Sequence, residues 1–96
     1  MGKKTVTIEG GRFKNLEDFF KEIDRVLTKD LDFKTGHNMN AFNDILWGGF
    51  GVHDYEEPIR LIWDNSVKSR KAIGEPLFND IVALIQEHEH VELIIA

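Results

Sequence analysis

The sequence predicts an α/β fold, a small three-stranded parallel sheet with about four helices packed on it, in a single domain over residues 1–96. Three observations carry that prediction. Residues 3–9 alternate Thr5 and Thr7 with Val6 and Ile8, as a strand with two unlike faces does, and residues 58–64 and 91–95 are short, largely apolar runs. Between these runs lie segments whose apolar residues recur every three or four positions, the spacing of a helix with one buried side. Strands separated by helical segments pair in parallel through right-handed crossovers.

Composition sets the outer bounds. A chain of 96 residues, 42% apolar and 30% charged, is long enough for one hydrophobic core and ordinary for a globular protein. No cysteine occurs, so disulfides and thiolate metal sites are excluded, in keeping with a cytoplasmic location. Neither a secretory leader nor a membrane span is expected, because the first residues lead into alternating rather than continuous apolar positions. The net charge of −5 argues against direct binding of nucleic acid, which requires a basic patch. The charge is also unevenly spread. Residues 35–59 contain no Lys or Arg, while Asp44, Asp54, Glu56 and Glu57 make the window acidic, which favours a basic partner surface.

Taken in order, the first strand ends at Gly10-Gly11. Asn15 is placed to cap a helix whose first turn holds Glu17 and Asp18, favourable against the positive end of the helix dipole. Leu16, Phe19, Phe20, Ile23, Val26 and Leu27 form its core-facing stripe. Residues 28–35 are polar, with Leu31 and Phe33 as the apolar exceptions, and read as a loop.

Residues 36–51 are the most informative stretch. A helix starting at Asn38 buries Met39, Phe42 and Leu46, with Ala41 and Ile45 beside them. Asn40, Asn43, Asp44 and Trp47 then share the other face. A solvated helix face usually carries Lys and Glu; this one has neither. Gly48, Gly49 and Gly51 follow and allow another molecule to approach the backbone closely. The connection over residues 48–57, rich in glycine and acid, is long enough to suggest a role of its own.

In the second strand Arg60 interrupts Ile59, Leu61, Ile62 and Trp63, so that strand is expected to be partly buried or at a sheet edge. Ser66 is placed to cap a short basic helix containing Lys68, Arg70 and Lys71, with Ser69 on its surface and Gly74 at its end. Pro76 suits the first turn of the next helix, which turns Leu77, Phe78, Ile81, Val82, Leu84 and Ile85 to the core. The last strand, residues 91–95, is nearly all apolar and is expected to be buried on both faces.

Catalysis finds little support in these residues. Ser66 and Ser69 read as a cap and a surface residue, and no Gly-x-Ser-x-Gly elbow occurs. Gly48-Gly49-Phe50-Gly51 lacks the following Lys-Ser/Thr of a phosphate loop. Glu87, His88, Glu89, His90 and Glu92 gather two imidazoles and three carboxylates, yet the spacing of a metal site is missing, and a polar turn between helix and strand explains them better. Neither a metal nor any cofactor is expected. Asp44 reads either as a polar surface residue or as a charge directed at a cation on a partner. Trp47 alone reads as partial core, and beside Asp44 as an interface anchor.

Gly36-x-Asn38-Met39-Asn40-Ala41-Phe42-x-Asp44-x-Leu46 resembles the Tyr-Gly-x-Asn-Leu-Asp-Ala-Leu-x-Asp-x-Leu signature of the barstar family of ribonuclease inhibitors. The order of elements resembles that family over nearly the whole chain. What the resemblance implies is an inhibitor, not an enzyme, that blocks the active site of a barnase-type ribonuclease with an acidic helix and its adjoining loops. Asp44 matches the family's central aspartate, which occupies a phosphate position and pairs with basic residues of the nuclease. Gly36, Asn38, Met39, Asn40, Asn43, Trp47 and Gly48 match other contact positions. A cleft built for RNA phosphate accepts a carboxylate in its place. The sequence departs from the family pattern at Asn40, which stands where the best-known member has an aspartate, at Asn43 in place of a tryptophan, at Lys34-Thr35 in place of a tyrosine pair, and at Ala83 in place of a glutamate. The implied partner is a basic extracellular or toxin-type ribonuclease, met in the cytoplasm by a protein that is monomeric when free. The rival reading is a regulatory module that recruits a different basic protein through the same face.

Overall fold

A computed structural model describes residues 3–27, 39–47, 54 and 56–96. Strands β1 (Lys4–Glu9), β2 (Ile59–Asp64) and β3 (Val91–Ile95) form one parallel sheet in the order β1-β2-β3. Four helices accompany it: α1 (Leu16–Leu27), α2 (Met39–Trp47), α3 (Ser66–Ile73) and α4 (Glu75–Gln86), with a 3-10 turn at Gly10–Arg12. Each strand is added on the same side of its predecessor. Two right-handed crossovers that step in the same direction deliver their helices to the same face of the sheet, so the other face stays open.

This one-sidedness is written along β2, where Ile59, Leu61 and Trp63 are buried and Arg60, Ile62 and Asp64 are half-exposed. On the open face the register aligns Thr5, Arg60 and Glu92 in one row. Glu92 accepts a hydrogen bond from Arg60 Nε at 2.9 Å and pairs with Lys3 Nζ at 3.5 Å, an arrangement suited to water on one side.

Residues 59–64 are partly buried, as expected, but the alternative of a sheet edge is corrected: this strand is the centre, paired on both sides, and Arg60 is tolerated because it lies on the uncovered face. Conversely β3, expected to be buried on both faces, is an edge strand with Ile94 and Ile95 exposed at 38% and 45%. An apolar run reports how a strand tolerates burial; the crossovers decide what covers it.

The helices follow their sequence signals closely. Asn15 Oδ1 accepts from the Asp18 amide at 3.0 Å and Asp18 Oδ2 accepts from the Lys14 amide at 2.9 Å, a reciprocal cap that starts α1. Phe19, Phe20, Ile23 and Leu27 are buried, with Leu16 and Val26 packed at the margin. Pro76 lies in the first turn of α4, whose Phe78, Ile81 and Ile85 are buried and whose Leu77, Val82 and Leu84 are half-buried.

The serines of α3 behave otherwise than expected. Asn65, in the left-handed conformation (φ 51°), takes the N-cap position, and the Ser66 hydroxyl donates to the Ala96 carbonyl at 2.8 Å instead of capping the helix. Ser69 is fully buried rather than on the surface. Its oxygen accepts from Trp63 Nε1 at 2.8 Å and its hydroxyl donates to the Gly10 carbonyl at 2.8 Å, joining β2, α3 and the 3-10 turn. Gly10 is required there: a methyl group would overlap the Asp64 carbonyl, Ser69 Oγ and Trp63 Nε1. Ser69→Ala would strand a buried indole N–H and a buried carbonyl. It should lower unfolding free energy by about 1–3 kcal/mol, read by urea denaturation; a neutral effect would show that neither group depends on the hydroxyl.

Glu22 is the buried charge of α1, 5% exposed. Burial by itself raises a carboxyl pKa, but here the Arg25 guanidinium, bonded at 2.7 and 2.8 Å, and the Glu9 amide at 2.7 Å together outweigh it and hold Glu22 below the ordinary 4.5. A carboxylate depressed in the folded state contributes stability that is present above the unfolded pKa and is lost as pH falls through the folded one. Replacing it in Glu22→Gln should therefore flatten the acid limb of a stability–pH curve below about pH 4.5, checked by urea titrations between pH 3 and 7.

Candidate partner-binding site

Helix α2 separates its residues into two sides, as its spacing requires. Phe42, Ile45 and Leu46 are buried, and Met39 packs against the same core. Asn40, Asp44 and Trp47 are exposed, Trp47 at 36%, while Asn43 is half-buried. Asp44 is the one charged residue of the helix, standing on a face of amides and an indole.

Two histidines from the turn between α4 and β3 hold this helix. His88 Nε2 lies 2.7 Å from Asn43 Oδ1, and His90 Nε2 lies 2.7 Å from the Leu46 carbonyl oxygen. Each acceptor lacks a proton, so each imidazole donates from Nε2. The indole of Trp47 meets both rings, edge-on to His88 at 4.5 Å and stacked on His90 at 5.6 Å between centroids. Beside His90, the Glu56 amide donates to the Trp47 carbonyl at 2.6 Å. The last carbonyls of a helix lack partners within it, and here a side chain and a loop amide supply two of them. The same bond brings Glu56 against the end of α2; the Asp54 amide donates to Glu57 Oε1 at 2.8 Å, and the Glu57 amide to the Asp54 carbonyl at 3.0 Å.

Next to this clasp, α2 and α4 leave an open groove of about 430 Å³. Met39, Asn40 and Asn43 line one wall, Asp80, Ala83 and Leu84 the other, and Glu87 stands at its end. His88 is 2% exposed, and burial, assisted by the neighbouring His90, pushes its pKa below the ordinary 6.5 against the opposing pull of Glu87.

Residues 3–92 match the family model described as Barstar (barnase inhibitor). The chain belongs to the barstar family. A search of curated proteins found no match. The barstar family is one of inhibitors, so membership sets the frame for α2. Of the residues singled out from the sequence, Met39, Asn40, Asn43, Asp44 and Trp47 come together on α2; Gly36, Asn38 and Gly48 lie outside the described residues, as do the loop over 28–35 and most of the connection over 48–57. Asp80, Glu87, His88 and His90 adjoin this face from α4 and the turn beyond it, and the sequence reading did not connect them to it. The polar turn at residues 87–90 is half right: Glu87 and Glu89 are exposed, but both imidazoles point to α2. Among the described residues, no helix is long and apolar enough to cross a membrane.

Because Asp44 is exposed on a helix held by its other side, Asp44→Ala should change unfolding free energy by less than about 0.5 kcal/mol, measured by urea denaturation. A larger loss would assign Asp44 to the fold rather than to a partner.

Proposed function

We propose that this protein inhibits a barnase-type ribonuclease by covering its active site with the exposed face of α2 and the loops that adjoin it. The observation that carries this reading is the Asp44 carboxylate, exposed and alone among uncharged neighbours on a helix anchored from behind. A nuclease cleft that holds RNA phosphate presents Arg and Lys side chains, and a carboxylate presented rigidly replaces a phosphate oxygen pair without reordering the binder. Asn40, Asn43 and Trp47 surround Asp44 with amide donors and an aromatic surface; Met39 contributes from the groove, and Gly36, Asn38 and Gly48 flank the helix in sequence. Asp54, Glu56, Asp80 and Glu87 add negative charge around it, favouring a basic partner and fast, salt-sensitive association. The protein acts by occupying the enzyme and catalyses nothing; it is a monomer when free and works in the cytoplasm, where it protects the producing cell.

Titration into a barnase-type ribonuclease assay tests the reading. Stoichiometric inhibition is expected from the wild type. Asp44→Ala should weaken binding by more than about 2 kcal/mol, roughly 30-fold, and the association rate should fall as salt rises. Full inhibition by the variant would remove Asp44 from its central role. No inhibition by the wild type would redirect the search to a different basic protein, captured with wild type and tested against Asp44→Ala.

A further inference from the structure

We infer that His88 and His90 are positioning residues for the partner-binding face of α2, and that His88 makes partner binding weaken as the solution turns acidic. The inference rests on the proposed function for the identity of the partner, and on the geometry of the clasp for everything else.

His88 reaches 45 positions back along the chain to bond Asn43, and its ring packs against Trp47; both of these are on the face assigned to the partner. Its other ring nitrogen, Nδ1, is buried and has no hydrogen-bond partner among the described residues. In the neutral ring Nδ1 is an unmet acceptor, a smaller cost than an unmet charged donor. In the cation Nδ1 carries a proton, which needs an acceptor that none of the described residues provides. The groups around the ring do not relieve this. From α2 it meets Asn43 and Trp47, neither of which titrates near neutrality; from its own segment it meets His90, which opposes a second positive charge, and Glu87, which favours one. Burial and His90 outweigh Glu87, so the clasp selects the neutral imidazole.

Two consequences follow for binding. Protonation of His88 favours release of the ring from its buried place, which frees the Asn43 side chain and removes the support behind Trp47. A basic partner surface landing on α2 adds further positive charge and excludes water there, so the complex rejects the His88 proton more strongly than the free protein does. Linkage then fixes the sign. A histidine depressed in the closed state contributes fully above its ordinary pKa of 6.5, and that contribution is lost as pH falls below it. His90 is the other half of the clasp, its Nε2–H donating to the Leu46 carbonyl.

The test has two arms. In the free wild-type protein, NMR follows the His88 ring, the Asn43 side-chain amide and the Trp47 indole from pH 8 to pH 5. The His88 ring and the Asn43 amide should shift with one midpoint below 6.5, the Trp47 indole should show a component with that midpoint, and His88→Gln, which keeps an N–H donor but does not titrate, should abolish that component at Asn43 and Trp47. Signals of Asn43 and Trp47 that ignore the His88 titration, or a His88 midpoint at or above 6.5, would overturn the inference. In the second arm, calorimetric titration with a barnase-type ribonuclease compares affinities at pH 7.5 and 5.5 within each variant. The wild type should lose up to about tenfold more than His88→Gln, the bound for one proton over one pH unit below 6.5. Titration of the nuclease itself cancels in that comparison. Equal losses would overturn the coupling. Failure of the wild type to bind at either pH would overturn the proposed function and the coupling to that partner, while the free-protein titration decides the clasp by itself.

Discussion

The position of every helix traces back to the indole of Trp63 at the end of the central strand. The ring is fully buried, lies 4.9 Å from Phe78 of α4 and 5.4 Å from Phe19 of α1, and is closed on another side by Phe13 at 6.3 Å. Its N–H is the polar atom that such a large buried group must satisfy, and Ser69 of α3 does so while passing a second bond to Gly10. One side chain thus touches three helices and, through the serine, the turn after β1. Phe19 extends the cluster to Phe42 at 5.3 Å, an edge-to-face contact that seats α2.

Seating α2 from behind is what allows its front to be polar and ready. A nine-residue helix is too short to be stable by its own hydrogen bonds, so its shape comes from what it packs against. The core takes Phe42, Ile45 and Leu46; the two imidazoles and the Glu56 amide take Asn43 and the final carbonyls. None of the groups in this clasp that touches α2 brings a fixed charge to it. The carboxylate of Asp44 therefore stands without a neutralising neighbour on its own helix, and Asp80 and Glu87 line the groove beside that helix. This arrangement spends little conformational entropy when a partner arrives.

The helices and strands were legible because their signals are local. Asn15 with Asp18, Pro76 in a first turn, and the apolar spacing of Phe19, Ile23 and Leu27 each act over a few residues, so adjacent chain contains all the information. The polar face of α2 was legible for the same reason, since Asn40, Asn43, Asp44 and Trp47 are three and four residues apart. What misled the reading was inference from composition to neighbourhood. Arg60 is equally compatible with a half-covered central strand and with an edge, and Val91, Leu93, Ile94 and Ile95 made the edge look central. Ser66 and Ser69 looked like a cap and a surface residue because the groups they satisfy, Ala96, Trp63 and Gly10, are up to 59 positions distant. Glu22 likewise gives no local sign of being buried; its partners include an amide thirteen residues away.

By itself the sequence determined the set of elements, their parallel order, the family and the helix face that offers an isolated carboxylate, because periodicity, capping and charge spacing are properties of contiguous chain. Tertiary structure alone decided which strand lies in the middle, which face of the sheet meets water, and which side chains stand behind the partner face. Those depend on the handedness of crossovers and on contacts between residues tens of positions apart. His88 and Asn43 are the clearest case: 45 residues separate them in sequence and 2.7 Å in space, and only the packing of α4 against α2 brings the one to the other.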